Sequence, residues 1–226
     1  NFRNHRKIVV VDGKVGFIGG LNVGDEYLGH HPVLTPWRDS HLRVTGPVVA
    51  CMQVPFVEDW HWATGEIIAD FNWDVVSRKG ADGGTMEAVC VLALQLAAKR
   101  GVDVKIIIPD MTDDRLVYLS SFSYLKELEQ VGVEIWRYEK GFMHQKVMLV
   151  DNDFSAIGSA NMDNRSFRLN FEAGVAIHDQ GFNEQVAAML KNDLSNSRKA
   201  GVDDLAKRSE FFKLSVKVAR LLAPVQ

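Results

Sequence analysis

Two stretches of this 226-residue chain carry one pattern. Residues 5–22 read HRKIVVVDGKVGFIGGLN and residues 144–161 read HQKVMLVDNDFSAIGSAN. His5, Lys7, Asp12, Gly19, Gly20 and Asn22 therefore stand in the register of His144, Lys146, Asp151, Gly158, Ser159 and Asn161. An internal repeat of this kind is hard to obtain by accident, and it constrains the fold more than any other feature: the chain is expected to build one unit twice.

Within each copy, KIVVVD and KVMLVD are short β-branched runs bounded by polar residues, the pattern of buried strands. Each leads through a tight turn into a second short run, VGFIGG or FSAIGS. Side chains alternate along a strand, so His5 and Lys7, or His144 and Lys146, point the same way. Further strands are expected at HLRVTG (41–46), DVKIIIP, VEIWRY and FEAGVAIHD. Helices are expected from Pro47 through residue 65, with Pro55 a kink or break, and then over 86–100, 114–131, 181–197 and 203–222. SRKGADGGT (77–85) reads as a linker. The alternation of strands and helices predicts an α/β layered architecture. Residues 1–76 would form the C-terminal part of a first domain, and residues 86–226 a second domain with C-terminal helices.

A His and a Lys on one strand face suit a phosphate. The Lys acts as a point charge on non-bridging oxygens, and the His as nucleophile or proton donor. One copy makes half a site. Two copies related by a pseudo-two-fold axis would set two imidazoles on opposite sides of one phosphorus, with the lysines on the phosphoryl oxygens and Asn22 and Asn161 adding hydrogen bonds from the turns.

The duplicated H-x-K-x4-D-x6-G-[GS]-x-N motif resembles that of the phospholipase D superfamily. The segments WRDSHLRVTGPVV, FVEDWHWATGE, AAKRGVDVKIIIP, GSANMDNRSFRLNFE and VKVARLLAPV resemble the bacterial cardiolipin synthases within it. The resemblance implies two phospholipase D-like α/β/α sandwich repeats, the first one incomplete. It also implies transfer of a phosphatidyl group between two phosphatidylglycerol molecules with release of glycerol, through a phosphohistidine, with no metal and no cofactor. By family habit His5 would be the nucleophile and His144 the general acid. Rival readings are a phosphodiesterase of the same superfamily that hydrolyses phospholipid or nucleic acid, and a non-catalytic fragment. The chain opens at the first motif, and some forty residues that family members carry near positions 84–86 are missing.

Each histidine needs a carboxylate on its other ring nitrogen to fix its tautomer. Asp39 follows His5 by 34 residues and Glu172 follows His144 by 28, parallel positions that make them the expected orienters, each within its own repeat. Asp12 and Asp151, counted with the catalytic motif, are expected to anchor the turns after the strands. Arg165 is a candidate for the phosphate site or for a structural ion pair.

Charge and composition narrow the partners. A net charge of -3 gives no global case for nucleic acid, and none is expected as a partner. The region 191–226 holds eight Lys/Arg against four Asp/Glu, net +4, which leaves -7 on the remainder. Its last helix alternates Phe211, Phe212, Leu214, Val218, Leu221 and Leu222 with Lys213, Lys217 and Arg220. Such a helix packs on its own domain or lies on an anionic membrane surface. The expected location is the bacterial cytoplasmic membrane, facing the cytoplasm or peripheral. Two cysteines, Cys51 and Cys90, do not make a disulfide framework or a metal site and suit a reducing compartment. His30, His31, His41, His61 and His178 lack a repeat partner and are expected to be structural or on the surface. Trp37, Trp60, Trp62 and Trp73 are expected in the core or at a domain interface.

Overall fold

The structure is a computed structural model that describes residues 3–68, 91–163, 166 and 170–222. The linker read at 77–85, the start of the helix read at 86, Trp73, Cys90 and Arg165 lie outside the described residues.

Each copy of the motif forms the hairpin its sequence announces. In the first, strands β2 (Ile8–Val11) and β3 (Val15–Gly19) pair antiparallel, and β5 (His41–Thr45) joins the far side of β3. In the second, β9 (Val147–Val150), β10 (Phe154–Gly158) and β12 (Gly174–Ile177) repeat that order. The hairpin turns explain the motif aspartates. Asp12 and Gly13 have φ of 53° and 64°, Asp151 and Asn152 have φ of 53° and 73°, and Lys14 N–H and Asp153 N–H each bond at 3.0 Å to the carbonyl three residues back. Two consecutive left-handed residues make the tight turn whose twist matches a hairpin, and Asp and Asn tolerate that conformation better than most residues.

Helix α1 (Val48–Thr64) covers the first sheet. It runs unbroken through Pro55, where a break was a possible reading; the ring removes only its own N–H bond within an otherwise continuous helix. Helix α2 (Val91–Lys99) precedes β6 (Lys105–Pro109), and α3 (Arg115–Glu129) is capped by the Asp114 carboxylate, which accepts from the N–H groups of Leu116 and Val117. Strand β7 (Glu134–Tyr138) runs parallel to β6, as a strand–helix–strand unit requires. Helix α4 (Gln180–Ser195) packs on β10, in the way α1 packs on its own sheet.

Two features depart from the reading of the C-terminus. Ser197–Ala200 is a strand, β13, antiparallel to β7, although SRKA is too polar to announce itself. The single helix expected over 203–222 is two, α5 (Val202–Ala206) and α6 (Glu210–Leu222). Ser209 starts the second helix, its hydroxyl accepting from the Phe212 N–H at 3.3 Å. Phe212, Val216 and Ala219 of α6 turn inward, and Val216 joins a core of Val104, Phe122, Leu125, Leu128, Val133, Ile135 and Ala200.

The α/β/α architecture is thus present in the second repeat. Among the described residues the first repeat has counterparts of β9, β10, β12 and α4 but none of β6, α3 and β7. The tryptophans divide. Trp37 is half-buried between the repeats, whereas Trp60 and Trp62 stand outward on α1, Trp62 at 92% exposure. The expectation of a core or interface position fails for these two because the last turns of α1 have no apolar layer against them among the described residues.

Candidate active site

Four very short strands bring the repeats together. β1 (Arg3–Asn4) lies parallel to β11 (Asn170–Phe171), and β8 (Phe142–Met143) lies parallel to β4 (Trp37–Arg38). Each ladder therefore joins the residues just before one histidine to the residues just before the other repeat's carboxylate. Asn4 is opposite Phe171 and Arg38 is opposite Met143, so the next residue on each strand is His5 opposite Glu172 and His144 opposite Asp39. Backbone bonds continue the alignment: His5 N–H donates to the Phe171 carbonyl at 3.0 Å and His144 N–H to the Arg38 carbonyl at 2.8 Å.

The side chains follow the backbone. His5 Nδ1 lies 2.9 and 3.0 Å from the two Glu172 oxygens, and His144 Nδ1 lies 2.9 Å from Asp39 Oδ2. Asp39 and Glu172 do contact the imidazoles, but the expected pairing within each repeat is wrong; the carboxylates are exchanged. The spacing in sequence is parallel for either arrangement, and only the parallel ladders between repeats distinguish them.

Each carboxylate carries two further donors. Asp39 accepts from its neighbour Ser40 N–H at 2.7 Å and from Trp37 Nε1 at 3.2 Å. Glu172 accepts from the Ser159 hydroxyl at 2.6 Å and from Asn170 Nδ2 at 3.1 Å. Burial by itself would raise the Glu172 pKa, but the bonds from His5, Ser159 and Asn170 outweigh it and hold the carboxyl below its ordinary range. The motif position held by Ser159 is Gly20 in the first copy, and there is no room for more: a Cβ at residue 20 would fall 2.1 Å from Asp39 Oδ1. Trp37 and Asn170 were not anticipated as carboxylate partners, although both stand two residues before the acid, in WRD and NFE, and that parallel was available to find them.

With Nδ1 engaged, each ring presents Nε2 as its free nitrogen, a lone pair when neutral and a proton when charged. The lysines lie close behind. Lys7 Nζ donates to the His5 carbonyl at 2.7 Å, and Lys146 Nζ donates to the His144 carbonyl. Burial pushes the Lys146 ammonium down to about 8, with Lys7 adding to the shift and Asp39, Asp113 and Glu172 opposing it. Lys7 is lowered by burial too, against the pull of Glu172 and Asp39. Both lysines thus feel both carboxylates, which makes this one charged centre assembled from two repeats. Two ammoniums with lowered affinity for protons, set close together, mark this as a candidate functional site.

Aromatic rings wall the His144 side. Trp37 lies 5.2 Å from the imidazole, Phe142 6.0 Å and Tyr27 6.4 Å, centroid to centroid. Asn22 Nδ2 donates to the Tyr27 hydroxyl at 2.5 Å, and the Asn161 N–H donates to the Ser166 hydroxyl at 3.2 Å. Asp12 and Asp151 are not brought to the imidazoles; they are exposed at the hairpin tips, a strand's length away. His41 on β5 is half-buried and lowered in pKa by that burial, against the pull of Asp39; His31 Nδ1 accepts from the Val33 and Leu34 N–H groups.

Comparison with known proteins gives the following. A family model described as cardiolipin synthase, PLD-like domain, matches residues 85–194. Cardiolipin synthase A of Pseudomonas putida KT2440 is 45% identical over 260 residues, covering 100% of this chain and 54% of that protein. Cardiolipin synthase A of Pseudomonas fluorescens SBW25 is 44% identical with the same coverage. The chain therefore spans about half the length of the curated relatives it matches. The solved structure of phosphatidylserine synthase from Haemophilus influenzae Rd KW20 superposes with a TM-score of 0.68 at 15% identity, over 99% of this chain and 71% of that one, a likeness of fold.

Proposed function

We propose, from its similarity to the PLD-like domain of cardiolipin synthase, that the chain is a member of the phospholipase D superfamily and a phosphatidyltransferase of the cardiolipin synthase type, joining two phosphatidylglycerol molecules with release of glycerol. The observation that carries the reading is the crossed pair of imidazole–carboxylate contacts, His5 with Glu172 and His144 with Asp39, beside the buried Lys7 and the half-buried Lys146.

Neutral His5 attacks phosphorus through Nε2, forming a P–N bond as the P–O bond to glycerol breaks. His144, protonated, gives its Nε2 proton to the leaving alkoxide. The terminal hydroxyl of a second phosphatidylglycerol then yields its proton to the now neutral His144 and attacks phosphorus, the P–N bond breaks, and His5 returns to its starting form. Lys7 and Lys146 hold the non-bridging oxygens, with Asn22 and Asn161 as candidate donors from the turns. Glu172 and Asp39 fix the tautomers and stabilise the imidazolium forms. Water in place of the second alcohol would give phosphatidic acid.

The proposed partner beyond substrate is an anionic membrane surface, met by α6. Phe211, Leu214, Val218 and Leu221 are 79%, 59%, 51% and 80% exposed and fall on one helical face, while Phe212, Val216 and Ala219 hold the opposite face to the domain. Lys207 and Lys217 flank the stripe as exposed cations. No helix among the described residues is long and apolar enough to cross a membrane. A peripheral seat on the bacterial cytoplasmic membrane follows from this reading.

The test is incubation of the chain with labelled phosphatidylglycerol in mixed micelles, beside His5→Ala and His144→Ala. Cardiolipin made by the parent and lost in both variants is expected. Phosphatidic acid alone would replace the transferase by a hydrolase, and no lipid product from the parent would overturn the reading.

A further inference from the structure

We propose that Asp193 is a positioning residue for this reaction, acting through Arg38 and Gln145 to hold the His144–Asp39 half of the site, with no comparable device among the described residues under the His5–Glu172 half. The inference rests on the catalytic reading of those histidines.

Asp193 lies near the end of α4 with its side chain fully buried. Arg38 grips it with two parallel bonds, Nε to Oδ1 at 3.1 Å and Nη2 to Oδ2 at 3.0 Å, and Gln145 Nε2 donates to Oδ2 at 2.7 Å. The Ser40 hydroxyl closes the circuit on Gln145 Oε1 at 2.9 Å. Arg38 and Ser40 flank Asp39, and Gln145 stands between His144 and Lys146. Neighbouring residues on an extended strand point to opposite faces, so the network grips the underside of both strands whose upper faces carry the imidazole and its carboxylate. A planar guanidinium gripping a carboxylate by two bonds fixes direction as well as distance, and in a dry site that geometry is stiff.

The pseudo-symmetric location is built differently. Arg6 follows His5 as Gln145 follows His144, and Asp59 on α1 takes the part of Asp193. Asp59 is 47% exposed and, among the described residues, receives one bond from Arg6 at 3.1 Å and one from Asn4 at 2.7 Å, both on the same oxygen and so not a bidentate grip. Phe171 stands where Arg38 would be and meets Arg6 through its ring at 5.1 Å. Water competes for that pair, so it holds geometry weakly. One fold operation thus yields a clamped half and a loose half.

The experiment compares Asp193→Asn with Asp59→Asn in the whole chain. For each it measures kcat and KM on phosphatidylglycerol micelles, thermal melting, and the Nδ1-bound proton resonances of 15N-labelled histidine. Asp193→Asn is expected to lower kcat by about tenfold or more with KM within about twofold, since sub-ångström misplacement of a reacting group has costs of this order. It should also move the His144 resonance and leave that of His5 in place; Asp59→Asn should stay within about twofold of the parent. Gln145→Ala removes two bonds of the network without stranding a buried charge, since Arg38 still pairs with Asp193, and decides the matter if Asp193→Asn fails to fold: a several-fold kcat loss with a cooperative melt supports the clamp. Unchanged kcat in the folded variant, an unmoved His144 resonance, or equal effects at the two aspartates would overturn it. If the parent makes no cardiolipin, the resonances still decide the clamp, and only the functional reading falls.

Discussion

Asp39 Oδ2 lies 2.9 Å from His144 Nδ1, although 105 residues separate them in the chain, and the mirror contact between Glu172 and His5 spans 167. Neither half of the site is complete within its own repeat. A carboxylate substitution therefore acts on the histidine of the other repeat, and this separates the two chemical roles experimentally.

Glu172→Gln is expected to weaken the nucleophile, slowing substrates with good and poor leaving groups alike. Asp39→Asn is expected to weaken the acid, slowing release of glycerol by roughly 10²-fold or more while sparing a p-nitrophenyl phosphodiester, which needs no proton on departure. Kinetics on the two substrate types check this. The opposite assignment of losses would reverse the roles of His5 and His144.

Gly20→Ala is expected to cost far more activity than its size suggests. The added methyl would sit 2.1 Å from Asp39 Oδ1 and 2.7 Å from Asp39 Cγ, so the carboxylate must leave its place against His144. Stability should fall by about 1–3 kcal/mol, as for other overpacked sites, with kcat reduced by a factor well beyond that expected from unfolding. Melting curves set beside kcat decide it, and a fully active, stable Gly20→Ala would rule out the contact.

Lys146 supplies a pH dependence. Its pKa of about 8 lies below the ordinary 10.5, and a bound phosphate favours the ammonium and lifts it again. Affinity for a phosphodiester should be flat below pH 8 and then fall with rising pH, by up to about tenfold per unit, since binding there takes up a proton. The same shift bears on folding in the opposite sense. The buried ammonium destabilises the fold below pH 8, and the cost fades as pH rises toward 10.5. Lys146→Met should therefore melt higher than the parent at pH 7, with the difference gone above about pH 10.5. Equal melting temperatures at pH 7 would contradict the burial argument.

Substitutions on α6 should divide by face. Phe211→Ser with Leu221→Ser should abolish sedimentation with vesicles of anionic lipid while leaving the melting temperature within a few degrees, because both side chains face outward. Val216→Ser should instead lower stability by about 2 kcal/mol or more, through loss of a buried apolar side chain and burial of a hydroxyl. Vesicle binding that survives the outer pair would remove the membrane role of the stripe.

The local structure was legible in the residues, because it rests on interactions between near neighbours. KIVVVD and KVMLVD make strands, Asp12-Gly13 and Asp151-Asn152 turn them, and the motif repeat announced a two-fold construction around His5, Lys7, His144 and Lys146. What escaped had no local signature: SRKA becomes a strand only because β7 offers an open edge, and Asp193 shows nothing in sequence that separates it from a solvated helix acid.

The residues alone also nominated Asp39 and Glu172 as the carboxylates, but their parallel spacing paired each with the histidine of its own repeat, which the structure reverses. A duplicated motif has the same internal spacing whether its parts meet within a repeat or between repeats. The tertiary structure made that choice through two short parallel ladders, β1 with β11 and β4 with β8, whose register sets His5 opposite Glu172 and His144 opposite Asp39. Pairing of backbone hydrogen bonds between distant segments is a property of the assembled chain, and it decided what spacing could not.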